Sequence, residues 1–198
     1  MNNTILLNNE EYKVNESDLP YLVIYREKSG GSHFTITLVK DLFLSGSKIL
    51  FFTAFYMAKD NFLEQIGPDH SNISFIETVA DLEINKDKQV LILNSGDENL
   101  LKDVLKTIKD LDERVVLLKN IEAFNANTLE ICLDLEKVIL SGDLDTCVLK
   151  DKIIEKKFNS IVVFTKPEIP LPFDVPILEK WQGYLSSKDK NGIIKIQK

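Results

Sequence analysis

Short apolar runs alternate along this chain with stretches whose apolar residues recur at helical spacing. Leu22-Val23-Ile24-Tyr25 is one such run, and a Ser/Gly cluster follows it. Phe34, Leu38, Val39 and Leu42 then repeat at the spacing that lines one face of a helix, which predicts a helix over 34–44 closed by Gly46. Residues 48–55 (KILFFTAF) are almost continuously apolar, as a strand covered on both faces requires. A helix over 57–66, stopped by Gly67-Pro68, and strands over 73–76 and 90–93 come next. Between Asp97 and Leu111 the positions Leu100, Leu101, Val104, Leu105, Ile108 and Leu111 form the clearest amphipathic helix of the chain. The alternation continues with strands over 115–118, 138–140 and 161–164 and helices over 128–135 and 148–156.

After Lys166 the texture changes. Pro167, Pro170, Pro172 and Pro176 impose an extended, irregular path. Residues 181–185 and 193–196, split by Lys188-Asp189-Lys190-Asn191-Gly192, read as a terminal β-hairpin. Buried strands alternating with amphipathic helices predict an α/β fold, a three-layer α/β/α arrangement around a mostly parallel sheet. No repeat or linker divides the chain. The expectation is one domain over 1–198, with its core at about 20–166 and the proline-rich segment and hairpin at 167–198.

Charge and composition narrow the function. Net charge is −7, which argues against a general grip on nucleic acid, because that needs a basic face. The chain has two cysteines, Cys132 and Cys147, and two histidines, His33 and His70, too few and too scattered for a zinc site. Reduced thiols, no apolar leader and no membrane-length apolar run make a soluble cytoplasmic protein the expectation.

In parallel sheets ligands sit at the carboxyl ends of strands, so the loops there are the ones to read. The first is Tyr25-Arg26-Glu27-Lys28-Ser29-Gly30-Gly31-Ser32-His33. A glycine-rich loop entering a helix offers free backbone N–H groups and the positive end of the helix dipole to an anion. The full phosphate-binding motif is G-x-x-x-x-G-K-[ST]. With Ser32 in the Ser/Thr place, Gly30 fits the second glycine, Gly31 stands where the lysine belongs, and Tyr25 where the first glycine belongs.

The stretch YREKSGGSHFTITLVKDLFLSGSKILFFTAF resembles the start of P-loop NTPases of the RecA-like and AAA+ groups, where strand, loop, helix, glycine and apolar second strand follow at this spacing. The resemblance implies a P-loop NTPase-like fold with ATP and Mg²⁺ as cofactors. Residues Lys28, Ser29, Gly30, Gly31, Ser32 and His33 would lie around the phosphates, with Ser32 at the metal. It also implies an acid at a neighbouring strand tip. Two strands compete for that place: the one over 90–93, followed by Asn94-Ser95-Gly96-Asp97-Glu98, and the one over 115–118, followed by Lys119-Asn120-Ile121-Glu122. Neither has an Asp at the expected position. Asp97, Glu98 and Glu122 are the catalytic candidates that remain, and a helix-capping role for Asp97 and Glu98 is the competing reading. Lys119 reads as a solvated loop residue. Ser141 and Asp143, at the tip of a further strand, resemble the polar sensor that feels the γ-phosphate in AAA+ proteins; a turn closed by Asp143 is the alternative.

Without the lysine and the acid, phosphoryl transfer lacks the charges that stabilise its transition state. The resemblance therefore implies a pseudo-ATPase that binds protein partners or self-assembles, as inactive members of such ring-forming groups do. An active ATPase working through Lys28 with Asp97 or Glu98, and a non-hydrolysing nucleotide sensor, are the alternatives.

Overall fold

A computed structural model describes residues 3–53, 56–67, 69–93, 97–108 and 113–197, with 56–59 described through their backbone alone. The chain opens with β1 (Thr4–Leu7) and β2 (Glu10–Glu11), then β3 (Tyr21–Ile24), α1 (Gly31–Leu44), β4 (Lys48–Thr53), α2 (Tyr56–Ile66) and β5 (Ile73–Phe75). It continues through α3 (Ala80–Asn85), β6 (Val90–Leu93), α4 (Glu98–Thr107), β7 (Arg114–Lys119) and α5 (Ala126–Leu133). It ends with β8 (Val138–Gly142), α6 (Lys150–Glu155), β9 (Ser160–Val163), β10 (Gln182–Ser187) and β11 (Asn191–Gln197). The expected strand tip Asn94-Ser95-Gly96, together with Ala54, Phe55, Pro68 and Leu111, lies outside the described residues.

These strands form one sheet in the order β2-β1-β11-β10-β9-β3-β8-β7-β4-β6-β5. From β9 to β5 every neighbouring pair is parallel. The β10–β11 hairpin extends the sheet antiparallel beyond β9, and β1 pairs with β11 at its outer side. The sheet is thus mostly parallel, with the expected C-terminal hairpin.

Strand alternation sorts the core into two layers. Tyr21, Val23, Tyr25, Ile49 and Phe51 face the layer that holds α1 and Phe62 of α2. Leu22, Ile24, Leu50 and Phe52 face the opposite layer, with Leu101, Val104 and Leu105 of α4, Leu129 and Cys132 of α5, and Ile153 of α6. Strands apolar on both faces are what a sheet between two helical layers demands. The fold is the expected three-layer α/β/α. No helix among the described residues is long and apolar enough to cross a membrane.

Residues 165–181 carry no regular structure, yet they are packed. Ile169, Leu171, Phe173 and Val175, every second residue, turn toward the α4–α6 layer. The segment leaves the sheet after β9 and returns to it at β10, both at the end of the sheet where β3 meets its loop.

Candidate functional site

The loop after β3 keeps the spacing of a phosphate-binding loop while changing what fills it. Ser29 N–H and Oγ both donate to the Arg26 carbonyl, at 3.3 and 2.7 Å. Lys28 at the crest of this turn has φ +63°. Gly30 has φ +101°, a conformation open to glycine at little cost, and it starts α1 by accepting from Phe34 N–H at 3.0 Å. The amides of the first turn that follow have no acceptor within the helix.

Gly31 faces the side chain of Tyr25. A Cβ at position 31 would stand 2.6 Å from Tyr25 Cδ1, and closer still to Tyr25 Cβ and Cγ. The phenol therefore takes the room into which a lysine at position 31 would start. Its hydroxyl ends near Ser32 and Ser141. Burial first, and the Glu122 carboxylate second, raise this phenol well above its ordinary range, so Tyr25 is a neutral group at all ordinary pH.

The tip of β7 supplies what the loop lacks. Lys119 Nζ donates to Tyr25 Oη at 3.1 Å and to Asn120 Oδ1 at 3.0 Å. Lys119 is only 4% exposed, which corrects its reading as a solvated loop residue. Parallel pairing explains it: β7 lies one strand from β3, separated by β8 alone, so its tip is carried to the loop. Burial lowers the Lys119 ammonium to about 8, while the nearby Glu122 carboxylate works against that shift. Asn120, at φ +67°, turns the chain into a 3₁₀ turn over Ile121–Ala123. That turn brings Glu122 back over the site. Its carboxylate accepts from Asn120 Nδ2 at 3.1 Å and from Asp143 N–H at 3.0 Å.

A cleft of about 490 Å³ opens here, lined by Tyr25, Ser32, Lys119, Asn120, Glu122 and Asp143 among others. Four of the sequence candidates are brought together in this way. Ser32, Glu122 and Asp143 line the cleft, and Ser141 is buried beneath it against the Tyr25 phenol. Asp143 also closes a turn, accepting from Asp145 N–H at 3.1 Å. Arg26 bridges this tip to the proline-rich segment: its guanidinium lies 2.5 Å from Asp145, 3.9 Å from Asp143 and 3.8 Å from Glu168. Trp181, 52% exposed, lies over Gly30.

Other candidates are placed elsewhere. Lys28 is exposed at the crest of the turn, outside the lining of the cleft, and Ser29 spends its hydroxyl on Arg26. His33 is half-buried in the first turn of α1, where its carbonyl accepts from Thr37 Oγ1 at 3.0 Å. Asp97 and Glu98 sit after β6, which is separated from β3 by β8, β7 and β4. Asp97 caps α4 by accepting from Asn99 N–H at 2.9 Å. Glu98 accepts from Asn125 N–H at 3.1 Å and from Thr128 Oγ1, tying α4 to the start of α5. The geometry does not bring Lys28 to either acid.

The donor set does not fit Mg²⁺. A magnesium site on such a loop takes the Ser/Thr hydroxyl and an acid from the neighbouring strand tip. Here an ammonium, Lys119, stands on that tip, and the Glu122 carboxylate beside it accepts from Asn120 Nδ2 and Asp143 N–H. Among the described residues no group of three or more His, Cys, Asp or Glu is placed to hold a metal ion.

Taken together, the mostly parallel sheet, its strand order and the loop that leads from a central strand into a helix match a P-loop NTPase-like fold. The comparisons agree. The chain is similar to the genome packaging NTPase B204 from Sulfolobus turreted icosahedral virus 2. In that protein's sulfate complex the TM-score is 0.60 at 15% identity, covering 93% of this chain and 98% of that one. In its AMP complex the TM-score is 0.62 at 14% identity, with the same coverage. EssC (ATPases 2 and 3) from Geobacillus thermodenitrificans aligns with a TM-score of 0.59 at 11% identity, over 98% of this chain and 40% of that one. At these identities the likeness is one of fold. No family model matches the chain, and no curated protein matches it.

Proposed function

We propose that this chain is a single P-loop-derived domain that has given up Mg²⁺-dependent phosphoryl transfer and works as an assembly or partner-binding subunit in the cytoplasm, a pseudo-ATPase. The observation that carries this reading is the ammonium of Lys119 on the strand tip beside the loop. Phosphoryl transfer depends on a metal bridging the phosphates, on a lysine in the loop and on an acid or amide that orients the nucleophile. In this chain Gly31 has no side chain, Tyr25 occupies the lysine's room, and a cation stands in the metal-binding acid's place. Removing one such group typically costs a hundredfold or more in rate, on the order of 10²–10³.

The backbone of the loop is kept because it builds the fold: it turns β3 into α1 and seats Gly30 under Trp181. Trp181, half exposed over Gly30, offers apolar area beside the loop for a protein partner or a second copy, and Ile177 in the segment before it is fully exposed. The fold neighbours, a genome packaging NTPase and ATPase domains of EssC, support a place in a larger machine.

A second reading, a nucleotide sensor that does not hydrolyse, is favoured by the cleft itself, which is open at Ser32 and has a volume of about 490 Å³. The neighbour B204 has been crystallised with AMP and with AMPPCP. Calorimetry with ATP and Mg²⁺, run beside a phosphate-release assay, separates the readings. Binding with a structural response but no turnover supports the sensor. Neither binding nor turnover supports the pure assembly subunit. Turnover that Ser32→Ala abolishes contradicts both.

A further inference from the structure

Both ends of the proline-rich segment are fastened to the same loop. At its start, Arg26 N–H donates to Thr165 Oγ1 at 3.4 Å. The Arg26 guanidinium meets Asp145 at 2.5 Å and lies 3.8 Å from Glu168, and Glu168 N–H donates to Asp145 Oδ1 at 2.8 Å. At its end, Trp181 lies over Gly30, so close that a Cβ at position 30 would stand 3.0 Å from Trp181 Cε3. Trp181 is held there at φ +68°, an uncommon backbone conformation for a bulky residue. Between the two fastenings the segment runs as a strap whose Ile169, Leu171, Phe173 and Val175 pack on the α4–α6 layer.

The fastening at the start is electrostatic and open to solvent. One half-exposed guanidinium faces three carboxylates, Asp143 at 3.9 Å together with Asp145 and Glu168. Without it, Asp143 and Asp145 on the β8 tip and Glu168 on the strap are a cluster of like charges, and the tip repels the strap. The strap is the element that yields. It is held by four half-buried apolar side chains, whereas β8 beside it is buried along its whole length. An exposed ion cluster of this kind is strong enough to bias a marginal element and too weak to decide the stability of the domain.

We propose that the loop after β3 and the strap form one two-state latch. With Arg26 on Asp145 and Glu168, the strap is closed on α4–α6 and Trp181 is seated on Gly30. When Arg26 is withdrawn, the strap lifts, Trp181 leaves Gly30, and the apolar surface under Leu171 and Phe173 is uncovered. A change at the loop is thereby passed to the α4–α6 face. The latch is independent of whether the loop binds or hydrolyses a nucleotide, so it stands apart from the pseudo-ATPase reading.

The chain has a single tryptophan, so its fluorescence reports Trp181 alone. Acrylamide quenching of that fluorescence reads the end of the strap. Chymotrypsin cleavage after Phe173 reads its middle, because a half-buried side chain must come out to be cut. Arg26→Gln is expected to raise the cleavage rate about twofold to fivefold and to raise the quenching constant, with the urea midpoint little changed. Asp145→Asn, which keeps an acceptor for Glu168 N–H and removes the charge, is expected to act in the same direction, and Arg26→Lys to recover part of the effect. On the unaltered chain, NaCl raised from ~0.05 M to ~1 M is expected to increase both readouts by screening, with the protease's own salt response measured on a peptide substrate. A folded Arg26→Gln with both readouts unchanged overturns the inference. A change in one readout without the other also overturns it, because the two ends are then not coupled. So does an increase that only follows a fall in the urea midpoint, because Arg26 then stabilises the whole domain and latches nothing.

Discussion

Tyr25 and Gly31 occupy each other's space. A Cβ at position 31 would lie 2.6 Å from Tyr25 Cδ1 and nearer still to Tyr25 Cβ. Because the Cβ of residue 25 is itself part of the clash, a side chain at 31 cannot be added to this backbone without displacing residue 25. The two departures from the loop motif are therefore coupled: with Tyr25 at the start of the loop, the backbone leaves room for glycine at 31.

This coupling predicts a specific rescue. Gly31→Ala is expected to destabilise the fold by about 1–3 kcal/mol, as overpacking does. Tyr25→Gly in that background is expected to recover a large part of the loss that comes from the clash, and Tyr25→Ala is not, because it keeps the offending Cβ. Urea denaturation of the two single variants at position 25, the Gly31→Ala variant and the doubles gives the coupling energy, expected at about 1 kcal/mol or more.

Lys119 makes stability depend on pH. Its ammonium titrates near 8 in the fold, against about 10.4 for an unfolded lysine. Between these values the unfolded chain holds more protons. Stability of the unaltered chain relative to Lys119→Met is therefore expected to rise as pH increases through that window. Below about pH 8 both states are protonated, and the cost of burying the charge is fully present. Tyr25, raised in the fold, adds an opposing loss above about pH 10, where unfolded tyrosine ionises. Urea midpoints of both proteins between about pH 7 and about pH 10 read the effect. A flat difference would contradict it.

Much of this was legible in the sequence, and the reasons differ by element. The continuous apolar run of β6 and the periodic face of α1 report burial directly, so the alternation of strands and helices and its three layers follow from pattern. The loop at 25–33 could be found by its glycines. What pattern could not supply is which strand tips meet. Lys119 and Asn94 each follow an apolar run, and only the order β3-β8-β7-β4-β6 decides between them. For the same reason a buried lysine looks identical to a solvated one in the sequence. The residue types did carry a signal, since Tyr25, Gly31 and Lys119 each break the motif and the three meet in space. Strand β1 was missed because its pairing partner, β11, lies at the far end of the chain. The six-residue helix α3, which buries Leu82, was missed as well.

Glu98 is expected to matter for stability rather than for the cleft. Its carboxylate caps α5 through Asn125 N–H and Thr128 Oγ1. Glu98→Ala should cost about 1–2 kcal/mol, the size of a lost cap with one further hydrogen bond. The denaturation midpoint of the variant, expected to fall, checks this.

The thiols should be silent in the folded state. Cys132 and Cys147 are free and buried, and burial pushes the Cys132 thiol up to about 12. A thiol reagent at neutral pH is expected to modify them at the rate of unfolding, and rapid modification of the native chain would contradict their placement.

The central claim is that the loop of this fold no longer serves Mg²⁺-dependent phosphoryl transfer. Phosphate release from ATP in the presence of Mg²⁺, by the purified chain and by Ser32→Ala side by side, tests it most directly. The prediction is no release above background, with the two proteins indistinguishable. Sustained release that requires Mg²⁺ and disappears in Ser32→Ala would contradict it.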